Sequence, residues 1–155
     1  MSRMEEMRTQ RGYREPTVTQ FSVFLDNRVG RLKAFLQLFD ASDVRLVAIS
    51  VVDSVDCAIV RCVLVPADEA RDRLKAAGLA VGETELVIVE LSSADALSAM
   101  CECLLKTEVN IHYVYALLHR PTGQPAVALH VDEPELAAKI LRQSHFNLLG
   151  EADLK

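Results

Sequence analysis

The chain is 155 residues long, half of them hydrophobic and a quarter charged, which supplies a core and excludes a disordered polypeptide. Its 22 acidic residues outnumber 17 basic ones, a formal charge of −5 with no basic run to offset it, so no nucleic-acid partner is expected. The longest unbroken apolar stretch, Tyr113–Leu118, falls far short of the roughly 18 residues a membrane helix needs, so no membrane partner is expected.

Residues 1–17 mix arginine with glutamate and lack the apolar segment of a secretory signal, and read as a flexible arm. Val18–Leu25 alternates as a half-buried strand, and Asp26-Asn27-Arg28-Val29-Gly30 breaks it with turn chemistry. Leu32, Phe35, Leu36 and Phe39 then fall at helical spacing, predicting an amphipathic helix to about Ala41. Val44–Asp53 and Asp56–Val65 are expected to form a hairpin. Ala67–Ala77 follows as a helix stopped by Gly78.

The order then recurs. Thr84–Leu91 reads as a strand, and Ser92 or Ser93 is placed to cap a helix from about Ala94 to Lys106. Strands are expected over Val109–His119 and Pro125–Val131 around the turn Arg120–Gln124. Pro134 opens a helix to about Ser144, and Phe146–Leu149 closes as a short strand. Leu32 to Val44 and Leu97 to Val109 are the same step, and the loop before the helix is one residue shorter in the second half. This doubled order predicts an α+β protein of two ferredoxin-like βαββαβ repeats, antiparallel sheets with helices on one face, over residues 18–82 and 83–155.

Catalytic constellations are missing: no glycine-rich phosphate loop, no nucleophile elbow, and no Ser–His–Asp set. Cys57, Cys62, Cys101 and Cys103 lack the two-residue gap of a metal or redox motif and read as small buried hydrophobes in a reduced, cytoplasmic chain. His119, His130 and His145 share no ligand spacing, and neither a metal nor a cofactor is expected.

The informative segment is Asp26–Gly30, which runs from a strand into a helix N-terminus where free N–H groups attract a carboxylate. Gly30 permits close backbone approach, and Asn27 offers both a donor and an acceptor to a zwitterion. As a simple strand-to-helix turn, the same loop needs no ligand.

Asn27-Arg28-Val29-Gly30-Arg31-Leu32 resembles the Asn-x-Pro-Gly-x-Leu signature of ACT domains, small regulatory modules that bind amino acids, with Val29 in the proline position. With the doubled element order, the chain from Val18 to about Leu149 is similar to a tandem ACT pair, including stand-alone relatives of the acetolactate synthase regulatory subunit. In serine-regulated phosphoglycerate dehydrogenases, which this sequence also resembles, two modules lie edge to edge. There a ligand sits between the loop asparagine of one and an asparagine opening the second strand of the other. The resemblance assigns those roles to Asn27, with the Asp26, Arg28, Val29 and Gly30 loop, and to Asn110 in Val109-Asn110-Ile111, with His112 beside it. Leu25 stands where those enzymes carry a histidine, which puts serine itself in doubt as the ligand. The mirror position, Ser92 and Ser93 with Arg45, has lost the motif. The resemblance thus implies a non-catalytic sensor with one amino acid per chain, a homodimer, and a metabolic enzyme as the partner it regulates. The competing expectation is a ligand-free assembly module joined through its sheet edges.

Overall fold

The structure, a computed structural model, describes residues 15–155. Most of the expected arm lies outside the described residues, but its last stretch belongs to the body, where Glu15 pairs with Arg142 at 2.5 Å. The elements are β1 (Val18–Asp26), α1 (Arg31–Gln37), β2 (Arg45–Asp53), β3 (Cys57–Val65), α2 (Ala67–Ala76), β4 (Ala80–Glu90), α3 (Ala96–Lys106), β5 (Ile111–Ala116), β6 (Ala126–Val131), α4 (Pro134–Gln143) and β7 (Asn147–Leu149), with a closing 3-10 turn over Glu151–Leu154.

The expected boundary after residue 82 falls inside a single strand. The first part of β4 pairs antiparallel with β1, from Phe24↔Ala80 to Val18↔Leu86. Its second part pairs with β6, from Val87↔Leu129 to Glu90↔Ala126, and with β7. It is therefore both the last strand of one repeat and the first of the next. No proline interrupts Ala80–Glu90, and the β-branched run Val87-Ile88-Val89 keeps the chain extended past Gly82. Each repeat has the same antiparallel strand order, β2-β3-β1-β4 and β5-β6-β4-β7.

Alternation along these strands sorts the core into three layers. Phe21, Val23, Val60, Cys62 and Leu64 pack under α1 and α2, and Val87, Val89, Leu129 and Val131 pack under α3 and α4. The opposite faces meet each other, through Val47, Ala48, Val63 and Val65 of the first repeat and Leu86, Ile88, Leu117 and Ala128 of the second. The repeats are thus not edge to edge as the dehydrogenase likeness implied. Sharing β4 folds the two lobes of one curled sheet face to face. The far edges touch at the bridge Ala48↔Leu117, where the Leu118 and His119 N–H groups donate to the Val47 carbonyl at 2.8 and 3.1 Å.

Both repeats carry a β-bulge at the same place. In the first, Leu46 and Ala48 pair with consecutive residues Leu64 and Val63; in the second, Ile111 and Tyr113 pair with Val131 and His130. Val47 and His112 are therefore structural counterparts, as are Ala48 and Tyr113, and Val63 and His130.

Local departures from expectation have local causes. The α-helix ends at Gln37, before Ala41, because Leu38, Phe39 and Asp40 close i→i+3 turns and the Ser42 hydroxyl takes up the Phe39 carbonyl at 2.5 Å. Neither Ser92 nor Ser93 caps α3, which begins at Ala96 with no side-chain cap. Cys62 is buried as expected, but Cys101 is exposed because it lies on the outer face of α3.

Candidate functional site

The Asp26–Gly30 loop is organised by Asp26. Its carboxylate holds the guanidinium groups of both Arg28 and Arg31. Partial desolvation works against ionisation, but these two cations outweigh it and keep the Asp26 carboxyl below the ordinary carboxylate range. Gly30 stands in the left-handed region at φ 84°, a conformation that leaves the loop tip turned out, with Val29 fully exposed. The Val29 and Gly30 amides donate to no described carbonyl, whereas Arg28 N–H reaches the Asp26 carbonyl at 2.9 Å. α1 is only two turns long, so it is these loop amides rather than a long helix dipole that face solvent. The Asn27 carboxamide donates to Asp53 at the end of β2, at 3.1 Å, and its oxygen is left open.

On the second repeat, Asn110 immediately precedes β5. Its N–H donates to the Asp132 carboxylate and its carbonyl accepts from the Asp132 N–H, both at 3.2 Å. Its carboxamide makes no hydrogen bond to the described residues. His112 is the bulged residue, so it does not share a face with Asn110 by simple alternation; the bulge lays its ring 4.9 Å from that of His130.

No direct contact joins Asn27 to Asn110. Topology nonetheless puts them at one end. β2 and β5 run antiparallel through Ala48↔Leu117, and Asp53 with its partner Asn27 lies on the same side of that bridge as Asn110 and His112. On that side of the bridge Phe24 and Val52 of the first repeat's inner face are exposed, and this end is called the open end below. Ser92 and Arg45 lie at the opposite, closed end, where Arg45 is engaged by His119. Ser92 lines a cleft of about 530 Å³ with Glu90, Gln124 and Asn147. A smaller hollow of about 160 Å³ beside Arg31, walled by Leu25, Phe35 and Leu79, is its counterpart in the first repeat.

One cluster escaped the sequence reading. Gln20 is fully buried, its Nε2 donating to the Tyr113 hydroxyl at 2.7 Å and its Oε1 accepting the Tyr115 hydroxyl at 2.6 Å. The Arg61 guanidinium lies 4.2 Å over the Tyr113 ring, and the His130 ring packs 4.7 Å from the Tyr113 ring. Burial, then the nearby His112 and Arg61, push the His130 pKa down. The counterparts of Gln20, Arg61 and His130 at the closed end are Leu86, Ala128 and Val63, all apolar. The only sequence signal was Gln20 inside an apolar strand, which alternation alone reads as a solvent-facing position.

Among the described residues no group of three or more His, Cys, Asp or Glu side chains could hold a metal ion, and no helix is long and apolar enough to cross a membrane.

Two βαββαβ units sharing a strand, with the signature loop at the open end, define a paired regulatory-type fold. Residues 16–155 match the family model described as an ACT domain pair, and the chain belongs to that family. No curated protein matches it in sequence. Among solved structures, it is similar to protein BT0572 from Bacteroides thetaiotaomicron at 24% identity and a TM-score of 0.80, covering 89% of this chain and 95% of that one. It also resembles the regulatory subunit of aspartate kinase from Thermus thermophilus in its ligand-free form, at 15% identity and a TM-score of 0.57, covering 83% and 92%. The Thermus flavus regulatory subunit matches at 15% identity and 0.54, covering 84% and 93%. At these identities the likeness is one of fold.

Proposed function

We propose that this chain is a non-catalytic regulatory protein that binds one amino acid at the open end between its repeats. The observation that carries this reading is that Asn27 of one repeat and Asn110 of the other lie on the same side of the Ala48↔Leu117 bridge. Asn27 is held by Asp53 with its carboxamide oxygen unused, and Asn110 is held through its backbone with its whole carboxamide unused. The free Val29 and Gly30 amides would take the ligand carboxylate, and the Asn27 oxygen its ammonium. Asp26 and Arg28 shape the loop, and His112 lines the second repeat's side. A ligand bridging the repeats binds the closed arrangement better than the open one and so shifts the equilibrium toward it.

The partner that reads this shift is proposed to be an enzyme of amino-acid metabolism. That proposal draws on the likeness in fold to aspartate kinase regulatory subunits. Exposed Leu105 on α3, at 75%, is an apolar position that a second copy would cover in a homodimer.

The test is a thermal-shift screen against the twenty amino acids at about 5 mM. A ligand at 100 times its dissociation constant adds about 2.7 kcal/mol, a rise of several degrees at this chain length. One clear hit lost on Asn27→Ala supports the reading. A flat response to all twenty leaves the assembly module in its place.

A further inference from the structure

The inner face of the first repeat ends in a polar row followed by an apolar one. Register aligns Ser50, Arg61, Ser22 and Gly82 across β2, β3, β1 and β4, and beyond them Val52, Ile59, Phe24 and Ala80. Val52 and Phe24 are 39% and 45% exposed, whereas Leu117, the counterpart of Val52 at the closed end, is 3% exposed. The two ends of the inter-sheet space are thus built alike and finished differently.

Three observations single out the polar row. Arg61 is half-buried, yet takes part in none of the ion pairs among the described residues, and its guanidinium lies on the Tyr113 ring. No carboxylate neutralises this guanidinium, so it can take up an anion that reaches it. Beside it, the His130 Nδ1 is buried with no hydrogen-bond partner. Finally, a Cβ built on Gly82 would meet nothing within 4 Å, so open space faces Arg61 and Ser22 from the neighbouring strand.

We propose that the open end of the inter-sheet space binds a short hydrocarbon-tailed carboxylate. Its head lies on Arg61, within reach of His130, and its tail runs along Val52, Ile59 and Phe24 over Gly82. A bidentate guanidinium–carboxylate pair supplies the orientation, and the apolar row takes hydrocarbon out of water. An acidic side chain or a phosphate without a hydrocarbon tail would leave the apolar row unused. This site does not rest on the Asn27–Asn110 reading: it needs no ammonium group and uses none of the loop.

The experiment uses 4-methylpentanoate, which has a branched tail and no amine, with 4-methylpentanamide as the uncharged control. Binding to the full chain is followed by calorimetry and by two-dimensional NMR. We expect saturable binding of the acid and none of the amide, with the largest shifts at Arg61 Nε, Gly82 and the Tyr113 ring rather than at Val29 and Gly30. Arg61→Gln should weaken it about tenfold or more, the usual effect of losing a contact to a charged group. Gly82→Leu, which fills the open space without touching the charge, should do the same. Asn27→Ala should leave it unchanged. The proposal is overturned by absent binding, by equal binding of the amide, by full affinity in the Arg61 and Gly82 variants, or by shifts centred on the loop. Should Arg61→Gln fail to fold, Gly82→Leu and the wild-type shift map decide the matter.

Discussion

The Tyr115 hydroxyl of the second repeat donates to the Gln20 carboxamide oxygen of the first at 2.6 Å, across a largely apolar interface, and Gln20 has no exposed surface. A buried acceptor stripped of its donor costs about 1–3 kcal/mol. Tyr115→Phe should therefore destabilise the chain by about that amount, read as a fall in the urea midpoint. Gln20→Leu, which installs the residue type its counterpart Leu86 already has, should cost far less in a Tyr113→Phe, Tyr115→Phe background than alone, because no polar partner is then stranded. Additive effects in that cycle would mean that the hydrogen bonds contribute nothing to joining the repeats.

The fold was legible wherever periodicity spoke. The equal steps from Leu32 to Val44 and from Leu97 to Val109 announce the duplication, and both helices and strands appear in the expected order. What periodicity did not carry is how the repeats are joined. Thr84–Leu91 is visible as a strand, but whether Ala80–Glu83 extends it or ends a separate one depends on pairing with β1, which is a tertiary fact. The same limit hid the Gln20 cluster. In Val18-Thr19-Gln20-Phe21-Ser22-Val23 the alternation correctly sends Phe21 and Val23 to the helix-covered core. It sends Gln20 and Ser22 to the other face, and only the second sheet, whose Tyr113 is 93 residues away, turns that face into an interior. The signature loop was legible as a motif. Its use of Asp26 as an anchor for two arginines was not, because Asp26 reads equally well as a turn residue.

Three helices end alike. Gly78, Glu108 and His145 each adopt positive φ just past a helix, and the next residue's N–H reaches back to a carbonyl five residues earlier, as in Val109 to Leu104 at 3.0 Å. Glycine occupies this position once; Glu108, at φ 61°, holds it with a Cβ in a disfavoured conformation. Glu108→Gly is expected to stabilise the chain by about 0.5–1 kcal/mol, after the extra chain entropy that glycine loses on folding. Differential scanning calorimetry should show Tm rising by about 2–3 °C at this length. A fall in Tm would indicate that Glu108 contributes a compensating interaction.

His130 carries a pH prediction. Its folded pKa is depressed, first by burial and then by His112 and Arg61, so between that value and the ordinary 6.5 the unfolded chain holds more protons than the native one. Stability therefore rises with pH through this window and is lost as the solution is acidified below about 6.5. His119, also depressed by partial desolvation and by Arg45, adds in the same direction. Chemical denaturation from pH 5 to 8 should show the slope, and His130→Gln should flatten part of it. A bound carboxylate beside Arg61 should raise the His130 pKa, visible as a shift of its Cε1–H titration curve. A slope unchanged in His130→Gln would assign the pH dependence to other groups.

The paired-asparagine reading makes the most discriminating claim, because the two residues do not touch. Asn27 belongs to the first repeat and Asn110 to the second, and each is held by its own aspartate, Asp53 and Asp132. If one amino acid spans the opening, Asn27→Ala and Asn110→Ala should each weaken it by roughly 10- to 150-fold, the range for losing a polar contact to a charged group. Neither change should move the stability of the ligand-free chain by more than about 0.5 kcal/mol, since both side chains are exposed. The double variant then decides the mechanism. A rigid ligand gripped at both ends loses its bridging on the first substitution, so the second should cost less than it does alone, a coupling of about 0.5 kcal/mol or more. Strictly additive losses would describe two independent contacts within a preformed site, with no closure for a partner enzyme to sense. A silent Asn110 would confine the ligand to the first repeat, on the Val29 and Gly30 amides alone.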